Sequence, residues 1–282
     1  MKIIHNVGQM KAFALEQRNA DKLIGFVPTM GALHQGHLAL VERAVAENDL
    51  VVCSIFVNPI QFNNPNDLKH YPRTLKKDLA SLEKVNCDVV FHPTAEEMYP
   101  REEELPQYNF GLLEQVMEGR YRPGHFNGVA VVVKKLLQMV LPHRAYFGEK
   151  DYQQLAIVRE LVKKDNIATE IVPCPTVREP DGLAMSSRNT RLSVEERQLA
   201  PLIYETLVEA KDRYRSATAE EVIAWVTERF SAHESFRLEY FELSDPVTLQ
   251  PVRGRKPSGP VVACIAAFLG EVRLIDNMVY YL

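Results

Sequence analysis

Along the first 175 residues, short apolar runs alternate with segments in which apolar side chains recur every three or four positions. That alternation predicts βαβ units on a parallel sheet. Residues 50–57 (LVVCSIFV) are almost wholly apolar, as suits a strand covered on both faces. Leu75, Leu79, Leu82 and Val85 then keep helical spacing and leave Lys76, Lys77 and Lys84 to water. The pattern predicts further strands at 23–27, 88–91, 145–147 and 170–172, and a helix at 152–164. Residues 128–141 contain the run Val129-Ala130-Val131-Val132-Val133, which could pass for a strand. Their length and the later Leu136, Leu137 and Val140 favour a helix.

Pro173, Pro175 and Pro180 then crowd together, and proline breaks both regular structures. A domain boundary is expected there, dividing a Rossmann-like parallel α/β domain (1–175) from a smaller C-terminal α+β domain (176–282). The second domain reads as helices at 193–215 and 218–231, then strands at 238–243, 261–269 and 272–275, with a loop at 253–260. Ser193 followed by Glu196 fits a capping box.

Composition narrows the function classes. The chain has 282 residues, 46% of them apolar and 25% charged, with a net charge of −4. No block of like charges or basic stripe appears, which disfavours a nucleic-acid binder. The four cysteines lie far apart with no C-x-x-C, so reduced core thiols are expected rather than a zinc site. The first residues lack a signal-peptide pattern, and no apolar run is long enough to span a bilayer. A cytoplasmic protein without membrane or nucleic-acid partners is therefore expected.

Candidate chemistry concentrates after the predicted strand at 23–27. The stretch PTMGALHQGHLALVERA (28–44) sets His34 and His37 around glycines and then turns helical. Gly36 permits close approach of the backbone to a ligand, and a helix mouth offers N–H groups and a positive dipole end to phosphate. Imidazoles three residues apart share one side of the first helical turn. An isolated histidine pair would as readily be a polar loop residue and a cap. The strand–turn–helix context favours a nucleotide site, with both rings donating to phosphates as charge develops.

Three more segments could join it. FGEKDYQQL (147–155) again runs from a strand end into a helix, with Gly148 at the turn, Lys150 suited to phosphate, Asp151 to ribose, and Gln154 one turn on. GLAMSSRNTRLS (182–193) clusters Ser186, Ser187 and Arg188, a match for phosphate oxygens and a candidate lid. FVNPIQF (56–62) carries the uncharged amides of Asn58 and Gln61, able to orient a small polar substrate, and Tyr71 and RPGHFNG (122–128) add polar groups. Taken singly, each of these is also compatible with an ordinary surface loop.

Together, PTMGALHQGH, SIFVNPIQF, YPRTL, RPGHFNGV, FGEKDYQQL, DGLAMSSRN and RLIDN closely resemble the pantothenate synthetase (pantoate–β-alanine ligase) family, nearly end to end. The histidine signature alone would indicate only the HxGH nucleotidyltransferase superfamily. The resemblance implies attack of pantoate on Mg-ATP to give pantoyl adenylate and pyrophosphate, then capture by β-alanine to give pantothenate and AMP. It implies ATP binding by Met30, Gly31, Ala32, Leu33, His34, Gln35, Gly36 and His37, with His37 as proton donor and His34 as phosphate partner. Gly148, Glu149, Lys150, Asp151, Val177, Met185, Ser186, Ser187 and Arg188 would complete the nucleotide site. Gln61 and Gln154 would hold pantoate, with Gln61 also bordering the β-alanine path and Asn58 and Tyr71 nearby. A homodimer is implied as well; the metal ligands are not identified.

Three other readings compete with this one, the first sharing its histidine chemistry. An adenylyltransferase acting on a phosphate ester would want extra basic groups for its acceptor, where segment 56–62 is uncharged. A noncatalytic nucleotide sensor would bind ATP without pantoate-dependent pyrophosphate exchange. A tRNA synthetase would need a basic anticodon-binding surface, which the chain does not suggest.

Overall fold

The computed structural model describes residues 1–100, 104–254 and 258–281, so part of the expected 253–260 loop lies outside the described residues. The chain begins with β1 (Lys2–Ile4), α1 (Val7–Asn19), β2 (Ile24–Thr29), α2 (Gln35–Glu47) and β3 (Leu50–Ile55). Next come α3 (Pro65–His70), α4 (Leu75–Lys84), β4 (Val89–Phe91), α5 (Ala95–Met98) and α6 (Met117–Tyr121). Then follow α7 (His125–Val140), β5 (Arg144–Gly148), α8 (Tyr152–Lys164) and β6 (Glu170–Cys174). The remainder is α9 (Val194–Leu199), α10 (Leu202–Tyr214), α11 (Ala219–Ser231), β7 (Phe236–Ser244), β8 (Val261–Leu269) and β9 (Val272–Tyr280).

These elements form two compact units. The first comprises Met1–Phe110, Arg122–Glu149 and Gln154–Pro175; the second comprises Gly111–Tyr121, Lys150–Gln153 and Thr176–Leu282. In the first, six parallel strands are ordered β1-β4-β3-β2-β5-β6. From β2 the chain steps outward to β3 and β4, then returns to lay β5 on the opposite side of β2. That reversal makes a switch point at the carboxyl ends of β2 and β5, where open α/β sheets bind ligands.

A proline helps to open it. β2 extends past the predicted Val27 to include Pro28 and Thr29. The Ile24 carbonyl faces β5 and that of Thr29 faces β3, so by alternation Pro28 faces β5. The β2–β5 ladder pairs only Gly25 and Phe26, with Arg144 and Ala145. Pro28, which has no N–H to donate, therefore stands where the two strands have already parted.

At the other end of this ladder, His143 Nδ1 accepts the Ile24 N–H at 2.9 Å. Burial, aided by Arg18 and Arg144, pushes the His143 pKa below its ordinary 6.5. The folded state thus binds this proton less readily than the unfolded one. Its contribution to stability is full above about pH 6.5 and declines as pH falls towards the lowered folded value. We expect the urea midpoint to drop between about pH 7 and 5, and His143→Gln to remove part of that slope.

The second unit has the antiparallel sheet β7-β8-β9. Helices α10 and α11 cover one face of it, with Ile203, Leu207, Val226 and Phe230 against Phe241, Ile265 and Tyr280. Each fully buried large side chain there contributes roughly 1.5–3 kcal/mol. The helix expected over 193–215 is instead two, α9 and α10, because Pro201 cannot donate the hydrogen bond that would continue the first. The Ser193–Glu196 capping box is present, and Thr218–Glu221 repeats it at α11. β9 runs five residues beyond the expected Ile275, through Asp276 and Asn277, polar residues that interrupt its apolar pattern.

Candidate active site

The loop from β2 to α2 is held from several sides. Thr29 Oγ1 donates to the Ser54 carbonyl at 2.7 Å and accepts the Gly31 N–H at 3.2 Å. Gly31 and Ala32 both take positive φ, 79° and 50°, the second a costly conformation for a residue with a Cβ. Asp78 of α4, a residue no sequence motif marks, accepts the N–H groups of Ala32 and Leu33 at 3.0 and 2.9 Å. A cavity of about 280 Å³ opens beside this loop, bordered by Met30, Ile55, Arg73 and Asp78 among others.

His34 and His37 interlock at the mouth of α2. His34 Nδ1 accepts the Gly36 N–H at 3.2 Å, and His37 Nδ1 accepts the His34 N–H at 3.4 Å. The ring centroids are 4.0 Å apart. A ring nitrogen that accepts carries no proton, so each neutral imidazole bears its proton on Nε2, directed away from the backbone. The expectation of unpaired helix amides changes here. The imidazoles take up two amides of this turn, and their Nε2–H groups become the donors of the mouth. Gln35 and Gly36 lie in the first turn of α2.

Gln61 rests on a rigid platform. Asn58 is 1% exposed; its Nδ2 donates to Gln61 Oε1 (2.9 Å) and the Gly128 carbonyl (3.1 Å), while its Oδ1 accepts from Tyr99 (2.8 Å). Those partners make Asn58 the holder of the Gln61 amide. Gln61 Nε2 contacts Met30 Sδ at 3.2 Å, and its carbonyl lies 2.8 Å from His125 Nδ1. Tyr71 is buried with its ring edge-on to Phe62. Gly128 explains much of RPGHFNG: a Cβ there would lie 2.5 Å from the Ile60 carbonyl oxygen and 2.7 Å from Gln61 Cα. Gly128→Ala is accordingly expected to destabilise the chain by about 1–3 kcal/mol and weaken substrate use, read by thermal melting and KM.

Gly148 ends β5 at the same switch point, and Glu149 opens the short 3-10 turn that follows. A Cβ on Gly148 would meet no protein atom within 4 Å, so internal packing does not demand the glycine. Gln154 is half-buried near the start of α8.

The remaining predicted site residues belong to the second unit. Lys150 Nζ lies 3.8 Å from Asp151, and its carbonyl accepts from Asn277 Nδ2 at 2.7 Å. The Val177 carbonyl accepts the Met185 N–H at 3.0 Å, closing a small hairpin stitched by the Arg178–Ala184 bridge. Ser186 caps a short helical turn, its Oγ accepting the Arg188 N–H at 3.2 Å, and Ser187 is buried.

The closing RLIDN had no assigned role, and its contacts supply one. Asp276 binds Arg178 through two hydrogen bonds of 2.6 and 3.0 Å, and Asn277 holds Lys150. Arg273 bridges Glu118 and Glu239, and Tyr240 donates to Glu118 at 2.8 Å. Burial opposes the Arg273 charge, but the two carboxylates outweigh it and keep the guanidinium protonated. Gln153 reaches the Glu118 N–H and the carbonyls of Leu113 and Val116, at 2.9, 2.6 and 2.9 Å. β9 thus braces three separate segments of its unit.

Among the described residues, no group of three or more His, Cys, Asp or Glu side chains could hold a metal ion, and no helix is long and apolar enough to cross a membrane.

The model of a family described as pantoate-beta-alanine ligase matches residues 2–279. A pantothenate synthetase of Phocaeicola vulgatus is 52% identical over 281 residues, and one of Bacteroides fragilis is 50% identical over 280. Both alignments cover 99% of this chain and 99% of the relative. The crystal structure of pantothenate synthetase from Thermus thermophilus matches with a TM-score of 0.91 at 43% identity, over 100% of both chains. The pantoate-β-alanine ligase of Francisella tularensis, solved in complex with β-γ ATP and β-alanine, matches with a TM-score of 0.80 at 39% identity. That match covers 99% of this chain and 97% of that one.

Proposed function

The chain belongs to the pantoate–β-alanine ligase family, and on that premise we propose that it joins pantoate to β-alanine using ATP, through a pantoyl adenylate. A pantoate carboxylate oxygen attacks the α-phosphorus, the bond to the bridging oxygen breaks, and pyrophosphate leaves with the electron pair. The β-alanine nitrogen then attacks the acyl carbon, AMP departs, and the nitrogen gives up a proton.

The observation that carries this reading is the interlocked His34–His37 pair at the β2/β5 switch point, with Gln61 held rigid beside Met30. Two fixed Nε2–H donors suit phosphate oxygens that gain charge during displacement, and preorganised donors act most strongly where water is excluded. His37 takes the role of proton donor and His34 that of phosphate partner, within an ATP-binding segment from Met30 to His37. Gly148, Glu149, Lys150, Asp151, Val177, Met185, Ser186, Ser187 and Arg188 are proposed as the other nucleotide-binding residues. Gln61 and Gln154 are proposed to bind pantoate through uncharged amides. Asn58 acts on substrate through Gln61, and Tyr71 through the wall it packs.

Mg2+ is proposed to enter bound to the phosphates of ATP, where the protein need supply at most a carboxylate or two. An acyl adenylate hydrolyses readily, and the second domain is proposed as the lid that keeps water from it. A cytoplasmic homodimer completes the reading; light scattering checks the dimer. The experiment for the activity is exchange of labelled pyrophosphate into ATP. Exchange that requires pantoate supports the ligase, whereas ATP binding without such exchange would overturn it. Because the attacking amine must be neutral, single-turnover amide formation is expected to slow as pH falls from about 9 to 6; a flat profile would contradict that step.

A further inference from the structure

The buried carboxylate on α4 has a consequence for the histidine pair. Asp78 is 1% exposed and stands in the first turn of its helix, where the dipole favours negative charge. Its Oδ2 accepts the Ala32 N–H at 3.0 Å. Its Oδ1 accepts the Leu33 N–H at 2.9 Å and the Thr74 hydroxyl at 3.0 Å. Burying a charge is costly unless hydrogen bonds compensate it, and here two of those bonds go to consecutive amides of one loop. The amides belong to the residues immediately before His34, and the loop at Gly31 and Ala32 is in the left-handed region. A non-glycine residue at positive φ persists only where its surroundings over-determine it.

We propose that Asp78 is a positioning residue for adenylation: it clamps the Ala32–Leu33 backbone so that α2 starts in the orientation that aims both Nε2–H groups. The claim rests on the reading of His34 and His37 as phosphate partners. Asparagine in its place keeps the shape but turns one acceptor into a donor facing an N–H, and a slack loop misdirects the donors. Displacements of about 1 Å near reacting groups cost on the order of a hundredfold in rate. The cost should fall on the chemical step, since both carboxylate oxygens are engaged by the loop amides and the Thr74 hydroxyl.

The test is a double-mutant cycle of Asp78→Asn with His37→Ala, read by pantoate-dependent pyrophosphate exchange in the full-length protein. Asp78→Asn is expected to lower kcat about 10- to 100-fold with the KM for pantoate within about threefold. In the double variant Asp78→Asn should slow exchange by clearly less than it does alone, because the His37 donor it would misdirect is already gone and only that of His34 is left to lose. Thr74→Val, at an exposed residue, removes only the hydroxyl bond. It folds independently of the outcome for Asp78→Asn and is expected to lower kcat about threefold to fivefold in the wild-type background and by a smaller factor beside His37→Ala. Near-wild-type rates for Asp78→Asn, or losses that simply multiply in either cycle, would overturn the proposal while sparing the histidine reading. A near-wild-type His37→Ala would instead remove the histidine reading itself.

Discussion

Replacing His37 with alanine is expected to slow adenylation by about two to three orders of magnitude while leaving the fold intact. Removal of a preorganised donor to developing charge has an effect of that size in other enzymes. The structural loss is much smaller. His37 Nδ1 accepts the His34 N–H at 3.4 Å, a long bond, and losing a cap costs roughly 0.5–2 kcal/mol. The two quantities therefore separate: kcat collapses while the melting temperature shifts by a few degrees. His34→Ala is predicted to behave similarly with a greater structural share, because its side chain caps Gly36 as well as supplying a donor. Steady-state and exchange kinetics beside thermal melts check both, and a His37→Ala protein with near-native exchange would contradict the assignment.

Arg273→Met should be the most destabilising single change in the second unit. The guanidinium binds Glu118 through two hydrogen bonds of 2.6 and 2.9 Å and also holds Glu239. The side chains of Arg273, Glu118 and Glu239 are 18, 10 and 15% exposed, so solvent screens the group little. Removing the cation leaves two carboxylates facing each other in a buried place, and breaking such a group by one partner costs about 3–5 kcal/mol. Urea denaturation reads that loss. Adding Glu118→Gln and Glu239→Gln to Arg273→Met should recover much of it, since the penalty lies in the orphaned charges rather than in missing attraction. A stability loss under about 1 kcal/mol for Arg273→Met would contradict this view of β9 as the brace of its unit.

Much of the architecture was legible because its signals are local. The predicted helix at 152–164 is α8 to the residue, and 261–269 is β8, since apolar periodicity and continuous apolar runs depend only on near neighbours. His34 and His37 do meet, but as the N-cap and third helical residue of a capping box, His34 being extended rather than on the first helical turn. What the sequence hid depends on distant partners or on weak local patterns. β1 has three residues, and α1 buries only Met10 and Ala14, so neither had a pattern to read. Pro201 lay inside a periodic stretch whose period it does not alter. Asp78 meets Ala32 and Leu33 across more than forty residues, and nothing in the stretch LKKDLA marks its one buried charge among exposed ones. Asn58 was legible as a polar residue near the site, but only the fold reveals that its amide is spent on Gln61, Gly128 and Tyr99.

The most direct measurement is a crystal structure of the chain with ATP and pantoate. Phosphate oxygens are expected about 2.7–3.2 Å from Nε2 of both His34 and His37, with the pantoate carboxylate in line with the α-phosphorus. A triphosphate bound away from the mouth of α2, with both Nε2 atoms facing protein or solvent, would contradict that placement.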